Sequence, residues 1–534
     1  MEIVMERLEK LTSEQKKIYE SLMAYDSVMT GWLDAEAENR LKFRNNPLKA
    51  FLCATGMGKE EFQTMICPLG DGKALQAYME DGNDFELDEA KTSYTNGWDI
   101  VNLATVDMVN LVLKKIFGDG IWESYSFKLD ETSTDITLQA HIETMEITEL
   151  NGTLATIKMM MEECTVSGML EGTVVAATVG EIKAGFQAEL QQVSLETETG
   201  TALDLYLDVK AKDAIKNPSV EVQTDNVFIK YVLQGILEES LQKIIDSLPI
   251  DEPYKICSVE MDEGKLQKAD WIIPDYASFS GSGVGMENGE FKKEVAVFLK
   301  TLDKDIKNLT LNIENQFADS DADGTLGIAE RLTLGHILPL ILTQVNDGTA
   351  SAEYDADENC LKIDRVVSIS QYGADVKIKD FKVSSRENGF RLAFYLDGNW
   401  GAGMVKFHGT GYCDMKLEFV KDGKGESQLL ASVSDPKLDY GIDIPWWEYL
   451  IIACLAPFFI WVSDALLIIL SVAVGVIKSI FSDIQENGID GLPVDVALPI
   501  KWNDMEFVDI KSMHFSKGLH ISYSMKVAGE NVEQ

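Results

Sequence analysis

A long apolar helix, a series of alternating strands and a second long apolar helix occur in that order twice along this chain. The first helix of each series is read over 97–116 and 326–345 and the second over 226–247 and 446–484, so equivalent helices start about 220–230 residues apart. Between them Ile136, Leu138, Ala140 and Ile142 alternate with Thr137, Gln139 and His141. Leu203, Leu205, Leu207 and Val209 alternate with Asp204, Tyr206 and Asp208, and Phe390, Leu392, Phe394 and Leu396 repeat the pattern. Successive side chains of a strand point to opposite faces, so such runs are half-buried antiparallel strands. Turns are expected at Asn151 and Gly152 and around Gly168, Gly172 and Gly180, and further strands near 256–261, 295–302 and 309–313. A period this long argues for duplication of one α+β unit rather than a solenoid of short repeats. The expected architecture is therefore α+β, with a mainly helical extension over 1–91, a first unit over 92–315 and a second over 316–534. Over 226–247, Phe228, Tyr231, Val232, Leu233, Ile236, Leu237, Leu241, Ile244 and Ile245 form a stripe wide enough to predict cover on most sides of the helix.

Bulk properties narrow the function. With 534 residues, 46% of them hydrophobic and 25% charged, the chain has the composition of a water-folded protein with large cores, not of a disordered or polytopic membrane protein. A net charge of -41 repels phosphate backbones, so no nucleic-acid partner is expected. The same acidity keeps a protein with apolar grooves in solution. Glu2 and Glu6 stand where a secretory leader needs a basic start, so cytoplasmic synthesis is expected, with later release or peripheral membrane contact left open. Seven cysteines, widely spread and without a C-x-x-C pair, read as reduced, packed thiols.

Three motifs bear on chemistry. Asp319, Asp321, Asp323, Gly324, Thr325 and Glu330 satisfy the spacing of a calcium loop, in which the aspartates and Glu330 supply carboxylate oxygens, Thr325 a backbone carbonyl and Gly324 the sharp turn. The competing reading is an acidic loop that caps the next helix, because a strand pattern precedes it where an entering helix belongs. No cofactor is required, and structural Ca²⁺ is carried as a side expectation. The run 449–481 is long and apolar enough to span a bilayer, yet Pro457 and Asp464 interrupt it, which favours a buried or lipid-contacting helical pair over a permanent span. His141, His336, His408, His514 and His520 lack the spacing of metal ligands or of a nucleophile's base. The stretch 54–60 fails the phosphate-loop pattern at Cys53 and Glu60, and Gly281, Gly283 and Gly285 fail the dinucleotide pattern at Met286, so both are read as turns.

The run from Ser93 to Val101, with Gly97, Trp98, Asp99 and Ile100 at its centre, resembles the opening of the clostridial forty-seven-kilodalton proteins encoded beside neurotoxins. Ala269 to Pro274, Tyr276 and Ala277, Leu338 to Leu340, and Ile444 to Trp447 point the same way. The resemblance covers about 93–527 and leaves 1–91 outside it. It implies two tubular lipid-binding units in tandem, in each of which a twisted antiparallel sheet wraps long apolar helices, a non-enzymatic companion of a toxin complex, and lipid or fatty acid as ligand. On that basis Phe228, Tyr231, Val232, Ile236, Leu237, Leu241 and Ile245 on one helix, with Leu450, Phe458, Trp461, Leu466 and Ile469 on the other, are the expected acyl-chain contacts. A dry scaffold for toxin-complex proteins and a membrane-inserting component acting through 449–481 are the alternatives.

Overall fold

Ile100–Thr105 is a strand and not the start of a helix. All its residues are buried, so no polar face imposes a period of two, and the apolar spacing imitates a helix. The helix begins one residue later, at Val106–Gly118, where Thr105 Oγ1 accepts the Met108 N–H at 3.3 Å as an N-cap. The second series is corrected in the same way: Gly324–Ala329 is a strand, and helical backbone starts at Glu330. These elements belong to a computed structural model that describes residues 12–66, 85–118, 125–127, 136–246, 253–261, 270–285, 291–311, 321–338, 351–440, 446–450 and 499–529, short gaps within those ranges excepted.

The chain forms two compact units that are not consecutive in sequence. One contains Met1–Ser93, Glu330–Ile477 and His514–Leu519, and the other Tyr94–Ala329, Lys478–Met513 and His520–Gln534. These units do not follow the expected bounds 1–91, 92–315 and 316–534, because strands from distant parts of the sequence hydrogen-bond in one sheet.

That sheet, in the unit containing Tyr94–Ala329, has six strands in the order Tyr276–Gly285, Phe291–Lys300, Ile100–Thr105, Gly324–Ala329, Gly518–Val527 and Met505–Phe515. Ile100–Thr105 is antiparallel to both neighbours, and Asn102 faces Val297 on one side and Leu326 on the other. Each half of the chain thus contributes one opening strand and one closing pair. The distinctive Gly97, Trp98 and Asp99 anchor this sheet. Gly97 has φ +89°, and a Cβ there would lie 2.8 Å from Leu309 Cδ2, so both conformation and space favour glycine. Trp98 packs against Val101, Leu103, Ala296 and Phe298 and donates its indole N–H to the Thr310 carbonyl at 2.9 Å. Residues 309 and 310 are therefore loop, not the strand expected at 309–313. Asp99, 1% exposed, accepts the Thr301 N–H at 2.8 Å and lies 3.7 Å from Lys300 Nζ.

A nine-stranded sheet fills most of the rest of this unit, its main path running through Ile136–Asn151, Leu154–Leu170, Ile182–Thr197, Gly200–Leu207 and Tyr254–Glu260. Gly152, at the first hairpin, exchanges both backbone hydrogen bonds with Gly281 at 2.8 and 2.6 Å and so joins the two sheets. A Cβ on Gly281 would fall 1.9 Å from Leu150 Cγ, so this approach needs glycine. Gly281, Gly283 and Gly285 consequently lie in a strand and not in the expected turn. The helix Val106–Gly118 is clamped onto the sheet by Asn110, whose Oδ1 accepts the Ile147 N–H at 2.8 Å and whose Nδ2 donates to the Ile147 carbonyl at 3.0 Å. Asn110→Ala leaves both groups of a part-buried strand without these bonds and is expected to cost about 2–4 kcal/mol in urea unfolding, while Asn110→Asp restores one of them.

In the other unit, the helices Ser13–Met23, Asp26–Ala35, Ala37–Asn45, Pro47–Thr55 and Lys59–Ile66 share a compact body with an eight-stranded sheet drawn from 351–440. They are not a free-standing extension. Asn46 caps the fourth helix through the Lys49 N–H, and Gly56 ends it at φ +68°, so the stretch 54–60 is a helix stop. Phe51 contacts Tyr25, Phe62 and Trp446, and Tyr19 meets Trp447 edge-on. Trp446 Nε1 donates to Asp26 Oδ1 at 2.8 Å. Further along, Glu86 accepts from Tyr412 Oη at 2.8 Å, Arg391 at 3.0 Å and Lys437 at 3.1 Å. Hydrogen bonds from Tyr412 and Lys437 hold the Glu86 carboxyl down to about 2. Arg391 also makes a two-pronged pair with the buried Asp414, which in turn accepts the Leu87 N–H.

Candidate lipid-binding site

The inner face of the nine-stranded sheet is a continuous apolar surface built in cross-strand rows. Ile142, Met161, Ile182 and Val222 form one row, and Met145, Met159, Ala184 and Val220 the next. Ile147, Ile157 and Phe186 follow, then Leu150, Ala155 and Ala188. Every one of these side chains is buried. The first strand changes register between Ile142 and Thr144 and again between Ile147 and Glu149, and such bulges bend and twist a strand so that the sheet curls. Methionines beside alanines give this face an adaptable surface, because the unbranched thioether changes shape at low cost.

The helix Val227–Asp246 lies against this sheet with Leu233, Leu237, Leu241, Ile244 and Ile245 buried. A second ridge is polar: Gln234 Nε2 donates to the Val220 carbonyl at 2.6 Å, Glu238 accepts the Val220 N–H at 3.0 Å and Gln242 accepts the Ile215 N–H at 3.3 Å. These side chains, one turn apart, satisfy the backbone of strand Lys216–Val222 as a neighbouring strand would. The opposite ridge is open, with Val227 66% and Tyr231 73% exposed. Where cover on most sides of this helix was expected, Val227 and Tyr231 are exposed.

The other expected lipid contacts divide as follows. Leu237, Leu241 and Ile245 are brought together on the buried ridge, and Ile236 is half-buried beside them. Leu450 is buried in the other unit. The side chains of Phe228 and Val232, and the residues Phe458, Trp461, Leu466 and Ile469, lie outside the described residues, as does nearly all of 449–481. Among the described residues, no helix is long and apolar enough to cross a membrane.

The backbone of the calcium-loop motif is extended over Gly324–Ala329. A calcium loop must wrap so that its first and last carboxylates meet around one ion. Here six residues, Gly324–Ala329, are extended strand, which carries Glu330 about 20 Å along from Asp323 at roughly 3.3 Å per residue. Asp323 Oδ2 accepts the Met525 N–H at 3.0 Å, buried Thr325 pairs with Leu103, and Glu330 accepts from Asn359 at 2.6 Å. Asp321 is exposed, and Asp319 lies outside the described residues. Among the described residues no group of three or more histidine, cysteine, aspartate or glutamate side chains is placed to hold a metal ion. Burial pushes the Cys164 and Cys413 thiols up to about 12, which leaves them poor nucleophiles.

A polar cluster inside the central sheet escaped the sequence reading. Asn102 Oδ1 accepts from Trp502 Nε1 at 3.1 Å and from Tyr523 Oη at 2.7 Å, and the Tyr523 ring occupies the space a side chain at Gly324 would need. The available signal was one asparagine within a buried apolar strand, which requires partners. Those partners stand some four hundred residues away along the chain.

No protein-family description matches the sequence, and no curated protein matches it. Among solved structures, the chain is similar to P47 from Clostridium botulinum A2, with 14% identity and a TM-score of 0.49 over 84% of this chain and 99% of that one. It is similar to P47 of Clostridium botulinum E1, with 14% identity and a TM-score of 0.47 over 81% and 100%. A lipopolysaccharide binding protein aligns at 7% identity with a TM-score of 0.27 over 80% and 99%. The two clostridial neighbours come from the group that the run around Gly97, Trp98 and Asp99 resembles.

Proposed function

We propose that this chain is a non-enzymatic lipid-binding protein that holds acyl chains against the inner face of its nine-stranded sheet. The observation that supports this reading is the uninterrupted apolar surface of the four cross-strand rows, lined by methionine and alanine and bordered by the Leu233, Leu237 and Leu241 ridge. Burial of acyl-chain area against such a surface stabilises a complex by about 25 cal/mol per Å². Native mass spectrometry of the purified chain, followed by organic extraction, tests the reading: bound lipid in defined stoichiometry is the expected result. Ala184→Leu adds bulk between Met159 and Val220 and is expected to lower the lipid recovered per chain while the circular dichroism spectrum is unchanged.

A second reading, a dry scaffold for toxin-complex proteins, draws on the complete burial of the same rows, which is also how a filled core looks. An apo mass, obtained beside a control carrier that retains its lipid, would decide for it.

A further inference from the structure

We propose that the helices over 13–66 are a releasable cover on a lipid-contacting surface formed by Trp446, Trp447 and Leu450. This goes beyond the sheet interior and does not depend on it. Trp446 and Leu450 are buried in the unit that contains these helices, and Trp447 is half-buried. Phe51 lies over the Trp446 ring with centroids 5.9 Å apart, Tyr19 meets Trp447 at 5.4 Å, and Asp26 Oδ1 accepts the Trp446 indole N–H at 2.8 Å. Two indoles beside a leucine, opening a stretch of chain that is apolar in sequence, match a bilayer interface, where the ring enters the acyl region and its N–H meets a headgroup oxygen. Asp26 supplies that oxygen when the cover is on.

The construction of the cover permits release. Its helices are 8 to 11 residues long, below the length at which isolated helices persist in water, so their order depends on docking. Beyond the aromatic contacts, the helix Ala37–Asn45 packs beside the strand Lys437–Tyr440, and two polar clasps add to the docking. One is Asp26 on Trp446, and the other is Glu86, half-exposed, on Tyr412, Arg391 and Lys437. Leu87 is held by Asp414, and its side chain crowds the place of a side chain at Gly389, so the clasp fixes the chain just beyond the helices to the sheet. With a net charge of -41, the lipid surface that fits is neutral rather than anionic.

The test uses the full chain carrying Asp26→Ala and Glu86→Gln, read by amide hydrogen exchange and by flotation with phosphatidylcholine vesicles. Exchange about tenfold faster over 13–66, unchanged exchange over strands Ala374–Arg386 and Gly389–Trp400, and new flotation that Trp446→Ser with Trp447→Ser abolishes are the expected results. Faster helix exchange without flotation, or flotation without faster exchange, overturns the proposal. If the strands also exchange faster, the wild-type chain is floated at rising salt, which screens the Glu86 clasp. Flotation that increases with salt then supports the cover, and salt-independent flotation overturns it.

Discussion

Asp99→Ala is expected to lower the free energy of unfolding by about 3–5 kcal/mol, the usual cost of removing one partner from a buried ion pair. Asp99 and Lys300 are both more than nine-tenths buried, and the carboxylate also accepts the Thr301 N–H and so fixes the end of the Phe291–Lys300 strand. Alanine would leave the ammonium without its carboxylate and the amide without its acceptor. Urea unfolding followed by circular dichroism measures the loss. A second variant, Asp99→Ala with Lys300→Met, replaces the remaining charge with an apolar side chain and should recover part of it. A loss below about 1 kcal/mol in the single variant would mean that water reaches the pair and that the anchor lies elsewhere.

Trp98→Ala should cost a similar amount, about 3–5 kcal/mol, for a different reason. The indole is 2% exposed among Val101, Leu103, Ala296 and Phe298, with Tyr276 stacked at 6.1 Å, and its deletion opens a cavity where the central sheet meets loop 306–311. Trp98→Phe keeps much of the packing but not the hydrogen bond to Thr310, and is expected to cost about 1–3 kcal/mol. The two sites are adjacent, so the Asp99 and Trp98 losses should not add, and a double-mutant cycle measures the coupling. If both predictions hold, the run around Gly97, Trp98 and Asp99 serves folding.

Much of the fold was legible because alternation is a local signal. The strands around Ile136 to Ile142, Leu203 to Leu207 and Phe390 to Leu396 lie where their two-residue period places them; in the first and last the apolar face is the more buried one, while in the second Asp204 is buried as well. The helix at 227–246 was legible for the same kind of reason, with a period near 3.6. Ile100–Thr105 and Gly324–Ala329 were misread as helix because central strands buried on both faces carry no period. The spacing at Asp319 to Glu330 carries no backbone information, because a motif counts residues and the count is the same whether the chain wraps or runs extended as it does over Gly324–Ala329.

Local pattern alone therefore settles which segments alternate, which helices are amphipathic and where helices stop, because propensity and periodicity act over a few residues. It does not settle which strands pair across the chain, which side of Val227–Asp246 is covered, or that Asp26 meets Trp446 and Glu86 meets Arg391. Those choices are made by the burial of apolar faces and the pairing of charges between residues hundreds of positions apart, interactions that exist only once the chain has closed on itself.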